Sequence, residues 1–334
     1  MRSLKFCLIG AGEMAEIHAL NLCALPGVEV VAVVDPNAER AAHVAAACGA
    51  KVVSVDEAFG LSGIDGYVIA SPPRTHADYL ERAADTGAYV FCEKPIDHDL
   101  GRARAVLARL KGREDRVQLG FNRRFDANFI ALKQAITDGA IGRIEQVLII
   151  SRDPENPPLE GFQNSSGMLK ETSIHDFDLV RWLLEEEPVE IFVMGGAVIN
   201  PDYATIGQID TATTTIRMKS GRQVTVMNSL RAAFGYDQRI EVLGSEGQVA
   251  VGNLAESLVI LSNSAGVTGA KPHWNYPQRY AAAYAEEMRA FAGAVATGQP
   301  VTPDARDGLR ASEMSEAAIL SWNERRPVTL EAQV

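Results

Sequence analysis

Short apolar runs alternate with longer amphipathic stretches through the first third of the chain, and the period changes afterwards. Strand-length apolar runs fall at residues 4–9, 28–34, 51–53, 66–70, 88–92 and 116–120. Helical periodicity fills the gaps near 13–24, 37–47, 56–60, 75–86 and 99–112. Strands that read as continuous apolar runs are buried on both faces, as in a parallel sheet covered by helices. Right-handed crossovers then predict a doubly wound α/β sheet. Beyond residue 121 a helix near 126–138 leads into alternating segments at 144–152, 189–198, 210–218, 223–230, 239–243, 248–251 and 257–261. Such alternation predicts strands with one face on a core and the other open, in a mostly antiparallel sheet. A helix over 171–184 interrupts this sheet, helices over 277–297 and 305–323 close the chain, and residues 262–271 read as a mobile loop.

The first strand and helix are joined by Gly10-Ala11-Gly12-Glu13-Met14-Ala15, and Asp35 ends the second strand twenty-three residues after Gly12. Each part has a use in holding a dinucleotide. Gly10 permits the tight turn, Gly12 lets backbone approach a pyrophosphate, and small Ala15 lets the helix lie close to the sheet. The helix that starts at Glu13 and Met14 points its N–H groups and dipole at the phosphates. Asp35 can accept from two ribose hydroxyls. A 2′-phosphate beside that carboxylate would be repelled, so NAD is favoured over NADP. Arg40 can approach the adenosine end, or can be a solvated helix charge. The expected architecture is therefore a Rossmann domain over residues 1–121, followed over 122–334 by an α+β domain with a large open sheet. The C-terminal helices are free to pack back on the first domain.

Composition narrows the partners. The chain has 334 residues, 47% hydrophobic and 22% charged, which is ordinary for a globular protein with a large core. A net charge of −11 disfavours nucleic acid or anionic membrane as a partner. No apolar run reaches the ~18–20 residues of a membrane span. A strand starts almost at the N-terminus, so no signal peptide is expected. Cys7, Cys23, Cys48 and Cys92 form no C-x-x-C pair, and a reducing cytoplasm fits them best.

Ligands in doubly wound sheets bind beyond the carboxyl ends of the strands. Three further segments fall where such chemistry belongs. Ser71-Pro72-Pro73, followed by Thr75-His76 opening a helix, can flank the nicotinamide-side phosphate and ribose; an ordinary turn capped by Thr75 reads equally well. Glu93-Lys94-Pro95 directly follows an apolar strand, so the Glu93-Lys94 pair faces the cofactor crevice and both residues are expected to border the dinucleotide. A lysine there can bind a substrate hydroxyl and stabilise the negative oxygen that develops as hydride leaves, although alone it also reads as a surface lysine. Pro95 admits a cis bond. On a helix, Glu171 and His175 are i,i+4, with Asp178 a further i+3. Imidazole titrates near neutrality and suits proton removal from an alcohol, and a neighbouring carboxylate can orient it. Alone the pair would be a surface ion pair. No H-E-x-x-H or Cys/His cluster suggests a metal, and no G-x-S-x-G suggests a serine nucleophile.

Taken together, Gly10-Ala11-Gly12, Glu93-Lys94-Pro95, the run Gly120 to Asp126 (Gly-Phe-Asn-Arg-Arg-Phe-Asp) and Ile174-His175-Asp176-Phe177-Asp178 resemble the glucose–fructose oxidoreductase/inositol dehydrogenase (Gfo/Idh/MocA) family. The resemblance runs over essentially the whole chain and is nearest the bacterial inositol dehydrogenases. It extends to Ser151-Arg152-Asp153-Pro154 and to Tyr236–Val242. It implies an NAD-dependent oxidation of a secondary alcohol of a cyclic polyol or sugar, and a catalytic trio of Lys94, His175 and Glu171. It also implies polyol contacts at Arg124, Asp153 and Tyr236, and a homodimer or homotetramer built on the second sheet. Two positions depart from the family pattern. Glu171 stands where an aspartate is usual, and Ser165-Ser166-Gly167-Met168 replaces a Ser-Gly-Gly run bordering the substrate. A different cyclic polyol, a pyranose, an amino sugar or a sugar acid thus remain open, the last through Arg124 pairing a carboxylate. A non-catalytic dinucleotide sensor is the rival from another class; the presence of both Lys94 and His175 argues against it.

Overall fold

The computed structural model describes residues 3–163 and 165–330. The chain divides into two compact units, residues 1–125 with 282–312, and residues 126–281 with 313–334.

In the first unit the apolar runs become strands β1 (Leu4–Ile9), β2 (Val28–Val34), β3 (Lys51–Val52), β4 (Gly66–Ile69), β5 (Tyr89–Cys92) and β6 (Val117–Leu119). They form one six-stranded parallel sheet in the order β3-β2-β1-β4-β5-β6. The order reverses at β1/β4, the switch point of a doubly wound sheet. Every residue of β4 and β5 is buried, as continuous apolar runs demand. The crossovers carry helices α1 (Glu13–Cys23), α2 (Ala38–Cys48), α3 (Val55–Gly60), α4 (His76–Asp85) and α5 (Leu100–Arg109). Ala15, His18, Ala19 and Leu22 make one buried stripe along α1 at helical spacing.

The second unit opens with α6 (Ala127–Thr137) and is built on β7 (Ile144–Arg152), β8 (Pro188–Gly196), β9 (Thr211–Met218), β10 (Gln223–Ser229), β11 (Asp237–Gly244) and β12 (Gly247–Val251). With β15 (Val328–Thr329) they form a seven-stranded sheet in the order β12-β11-β7-β10-β9-β8-β15. In β9 residues Ala212, Thr214, Ile216 and Met218 are buried while their neighbours are open, the alternation of a one-sided sheet. The sheet is mixed: β7 and β10 run parallel, and the other pairs are antiparallel.

Three expectations need correction. The helix read over 171–184 is broken at Thr172 into α8 (Met168–Glu171) and α9 (Ser173–Leu184); a four-residue α7 (Leu159–Phe162) precedes them. The strand read at 257–261 and the loop at 262–271 are instead a hairpin of β13 (Ile260–Asn263) and β14 (Gly266–Gly269), turning at Ser264-Ala265 and re-entering the ladder at Gly266 with φ of +136°. The helix read from 277 is two helices, α10 (Tyr276–Arg279) and α11 (Ala281–Thr297). Residues 282–312 belong to the first unit, where Met288 and Phe291 of α11 join the core of Phe6, Leu8, Leu22 and Phe91. The last helix, α12 (Ala305–Glu324), is divided between the units. No helix of the described residues is long and apolar enough to cross a membrane.

Candidate functional site

The first unit contains a cavity of about 800 Å³ at the carboxyl ends of its strands, within the usual range for a small-molecule site. It is walled by the glycine turn, the end of β2, the loop after β4 and the end of β5. Gly10 has φ of +109°, and a Cβ there would come 2.5 Å from the Ala70 carbonyl oxygen, so only glycine fits between β1 and β4. A Cβ on Gly12 would meet nothing within 4 Å. Gly12 is the N-cap of α1 and supplies no side chain to cap it. The helix start therefore faces the cavity with no side-chain cap on it, as an approaching anion requires.

Asp35 does more than the motif suggested. Its Oδ2 accepts from the Ala11 N–H at 2.8 Å and its Oδ1 from the Asn37 N–H at 2.8 Å. It closes the glycine turn while lining the cavity. An ionised carboxylate has about four acceptor positions, so capacity for ribose hydroxyls remains. Glu13, Met14 and exposed Arg40 also line the cavity.

Ser71, Pro72, Thr75 and His76 form the opposite wall. Thr75 does not cap α4; its hydroxyl donates to the Pro72 carbonyl at 2.7 Å and lies 2.7 Å from Ser71 Oγ. His76 is buried, with Nε2 at 2.7 Å from the Ser71 carbonyl and Nδ1 at 2.7 Å from the Pro95 carbonyl. It ties the β4 loop to the loop after β5. Burial holds its pKa below the ordinary value, outweighing the two carbonyls that pull upward. Glu93 and Lys94 complete the wall, and the Lys94-Pro95 bond is cis. Residues fit for a dinucleotide are thus present: a glycine cradle, an uncapped helix start, an acid at the second strand and a lysine at the fifth.

Arg124, expected at the substrate, ion-pairs with Asp307 at 3.1 Å inside the first unit, its side chain 8% exposed. Sequence gave no sign of this partner, which lies 183 residues away.

In the second unit, register decides which residues meet. Ser229 pairs with Arg152 in the parallel β10–β7 ladder, and Asp237 pairs with Arg152 in the antiparallel β11–β7 ladder. Asp153, just after β7, and Tyr236, just before β11, therefore share one end of the sheet. Asp153 donates its N–H to the Ser229 carbonyl at 2.9 Å. Tyr236 is buried edge-on to Tyr280, with ring centroids 6.0 Å apart. The first turn of α9 is pinned at that same end. Asn228 of β10 accepts from Ser173 Oγ at 2.8 Å and donates to Asp176 Oδ2 at 2.8 Å, all three residues being buried. His175 sits between those two anchors in the chain. The clamp was missed by sequence reasoning; a buried asparagine in an otherwise apolar strand face is the signal that could have found it.

Glu171 ends α8, one residue before the break, so it does not share a continuous helix face with His175. Its Oε1 accepts from the Ser166 N–H at 2.7 Å. The turn it holds is tight: Gly167 has φ of +87°, and a Cβ there would lie 2.0 Å from the Gln208 amide oxygen.

Comparison with known proteins agrees with this geometry. The model described as "Oxidoreductase family, NAD-binding Rossmann fold" matches residues 4–121, and the "GFO/IDH/MocA C-terminal domain" matches residues 129–250. Inositol 2-dehydrogenase of Rhizobium meliloti is 38% identical over 98% of this chain and 99% of its own. The crystal structure of a putative myo-inositol dehydrogenase from Sinorhizobium meliloti superposes with a TM-score of 0.95 at 38% identity, covering 98% of this chain and 100% of that one. That of myo-inositol dehydrogenase from Lactobacillus casei in complex with NAD(H) and myo-inositol does so with a TM-score of 0.89 at 28% identity, covering 99% and 98%. The chain belongs to the GFO/IDH/MocA oxidoreductase family, with an NAD-binding Rossmann domain at its N-terminal end.

Proposed function

We propose that this protein oxidises a secondary alcohol of an inositol-like cyclic polyol to the ketone, with NAD as cofactor. The observation that carries the reading is Lys94 in the wall of the dinucleotide cavity, two residues past the end of β5. Gly10, Gly12, the start of α1 and Asp35 hold the cofactor, with Ser71, Pro72, Thr75 and His76 along its nicotinamide-side half. The chemistry that bound NAD supplies is a hydride acceptor for the carbinol carbon.

The protein's own residues handle the proton and the charge. His175 takes the hydroxyl proton as general base, with the Asn228 clamp holding its helix turn in place. Lys94, at the cavity wall, stabilises partial alkoxide character on the substrate oxygen. Asp153 and Tyr236 bind further ring hydroxyls. Glu171 acts on specificity by holding the Ser165–Gly167 turn. The extra methylene of glutamate lets it reach that turn, which supports a substrate preference of its own within the family. A neutral polyol is favoured over a sugar acid, because Arg124 is already paired with Asp307 and Asp153 would repel a carboxylate. Assembly through the second unit's sheet and a cytoplasmic location belong to the same reading. They are supported by exposed Met194, Val198 and Leu243 and by four cysteines that are all free thiols.

The test is a panel of inositol isomers, other polyols and pyranoses with NAD and NADP, followed by NADH absorbance. Turnover with NAD on a cyclic polyol is expected. NAD binding without turnover on any member would favour the sensor reading instead.

A further inference from the structure

Glu93, beside Lys94 in the cavity wall, leads inward to buried His18 and Glu287, titratable side chains that the reaction above does not use. Glu93 Oε1 is 2.7 Å from His18 Nε2, and Glu93 Oε2 accepts from the Lys94 backbone N–H at 3.2 Å. A Cβ on Gly120 would come 2.8 Å from Glu93 Oε2, so the carboxylate lies close against Gly120 and a side chain there would displace it. The Glu93 N–H donates to the Ile69 carbonyl at 2.8 Å, and Gly120 donates to the Cys92 carbonyl at 2.9 Å. The acid is therefore held on every side: by α1, by β4, by the end of β6 and by the amide that follows it.

His18 has no exposed side-chain surface. Phe91 and Tyr284 meet its ring edge-on, with centroids 4.8 and 6.0 Å away. Its Nδ1 has no hydrogen-bond partner, so the ring's one strong polar contact is the Glu93 carboxylate. Glu287 of α11 is fully buried beside this pair, and neither of its oxygens has a partner. Burial pushes the Glu93 carboxyl up, but the His18 hydrogen bond and the nearby Lys94 charge outweigh it and hold it below the usual carboxylate range. Burial, and after it the Glu93 charge, push Glu287 well above that range.

We propose that His18 and Glu93 are a positioning pair that fixes the Lys94 backbone at the cavity wall, with Glu287 as their buried neighbour. The inference rests on the catalytic reading of Lys94. A lysine has a long flexible stem, so its amine is only as well placed as its backbone. Glu93 supplies the fixed point, because the same carboxylate grips the Lys94 amide and is itself gripped from the opposite side. Glu93 is then a residue acting through Lys94 rather than a ligand for the dinucleotide.

The experiment compares Glu93→Gln, His18→Asn, Lys94→Ala and the double variant Glu93→Gln/Lys94→Ala. It reads kcat, KM, the pH profile of kcat, and NADH affinity by calorimetry on the free protein. Glu93→Gln keeps the side-chain shape and serves if His18→Asn does not fold. The expected result is a kcat lowered ~10- to 100-fold in Glu93→Gln, the scale of a small misplacement of a reacting group. NADH affinity should stay within about threefold, and the second substitution should add almost nothing to Lys94→Ala. The pH profile should shift in Glu93→Gln, because the lost negative charge faces Lys94, His76, His18 and Glu287 together. Full additivity in the double variant, or lost NADH affinity with kcat intact, would overturn the proposal. Wild-type turnover in Lys94→Ala would instead overturn the catalytic reading beneath it, a different outcome from wild-type turnover in Glu93→Gln alone.

Discussion

The two units reach their functional positions by different physical routes. In the first, each cavity residue stands at the end of a parallel strand, so its place follows from where an apolar run stops. Gly10 and Asp35 directly follow β1 and β2, and Ser71 and Lys94 lie two residues past the ends of β4 and β5. In the second, Asp153, Tyr236 and the His175 turn meet only through the register of a mixed sheet and one buried asparagine. The first arrangement is local, set by where each strand stops. The second is long-range and depends on a few buried polar contacts, each costly if left half-made.

That contrast can be broken from either side. The largest expected effect is on chemistry: Lys94→Ala and His175→Ala should each lower kcat by ~10²–10⁴-fold while the fold and NADH binding persist, which steady-state kinetics beside calorimetry would show. Next comes Gly10→Ala, which should destabilise the first unit by about 2–4 kcal/mol and weaken NAD binding, because its Cβ would meet backbone at 2.5 Å. A denaturant titration with wild-type stability would break the account of that turn.

Asn228→Leu probes the other route. It leaves buried Asp176 and Ser173 without their partner and should cost about 1–3 kcal/mol. It should also lower kcat, although Asn228 touches no reactant. A stability loss with kcat unchanged would mean that the clamp does not position His175. Glu171→Asp is gentler: the shortened acid should lose the Ser166 N–H, and KM ratios across the polyol panel should change several-fold with a small change in stability. Unchanged ratios would remove Glu171 from specificity.

The smallest effect concerns Glu287. Its folded pKa is raised, chiefly by burial, so the folded state binds a proton that the unfolded state gives up above the ordinary carboxylate value of about 4.3. Its contribution is present below that value and is lost as pH climbs toward the raised one. Glu287→Gln should therefore flatten the fall of Tm between mildly acidic and alkaline pH. A wild-type slope in the variant would place the titration elsewhere.

The sequence was most legible where chemistry depends on neighbours in the chain. The glycine turn, Asp35 and the Glu93-Lys94-Pro95 step could be read because a strand end, a turn and a helix start are consecutive. Asp35's grip on Ala11 was hidden, since a carboxylate suited to ribose hydroxyls suits a backbone N–H equally well. The break at Thr172 was hidden because Met168–Leu184 keeps helical apolar spacing across it; the turn at Gly167, packed on Gln208, sets the short helix apart. The β13–β14 hairpin reads as loop because every residue of both strands is exposed, so no inward–outward alternation marks it. Arg124 hid its ion pair for a different reason. Its neighbours carry a family motif, while its partner Asp307 lies near the far end of the chain.

The most direct measurement is the coupling between Lys94→Ala and His175→Ala on kcat/KM for a cyclic polyol. Two groups serving one chemical step predict strong coupling, with the double variant about as slow as the worse single one. Losses that simply multiply would contradict the account, because the two groups would then be acting independently.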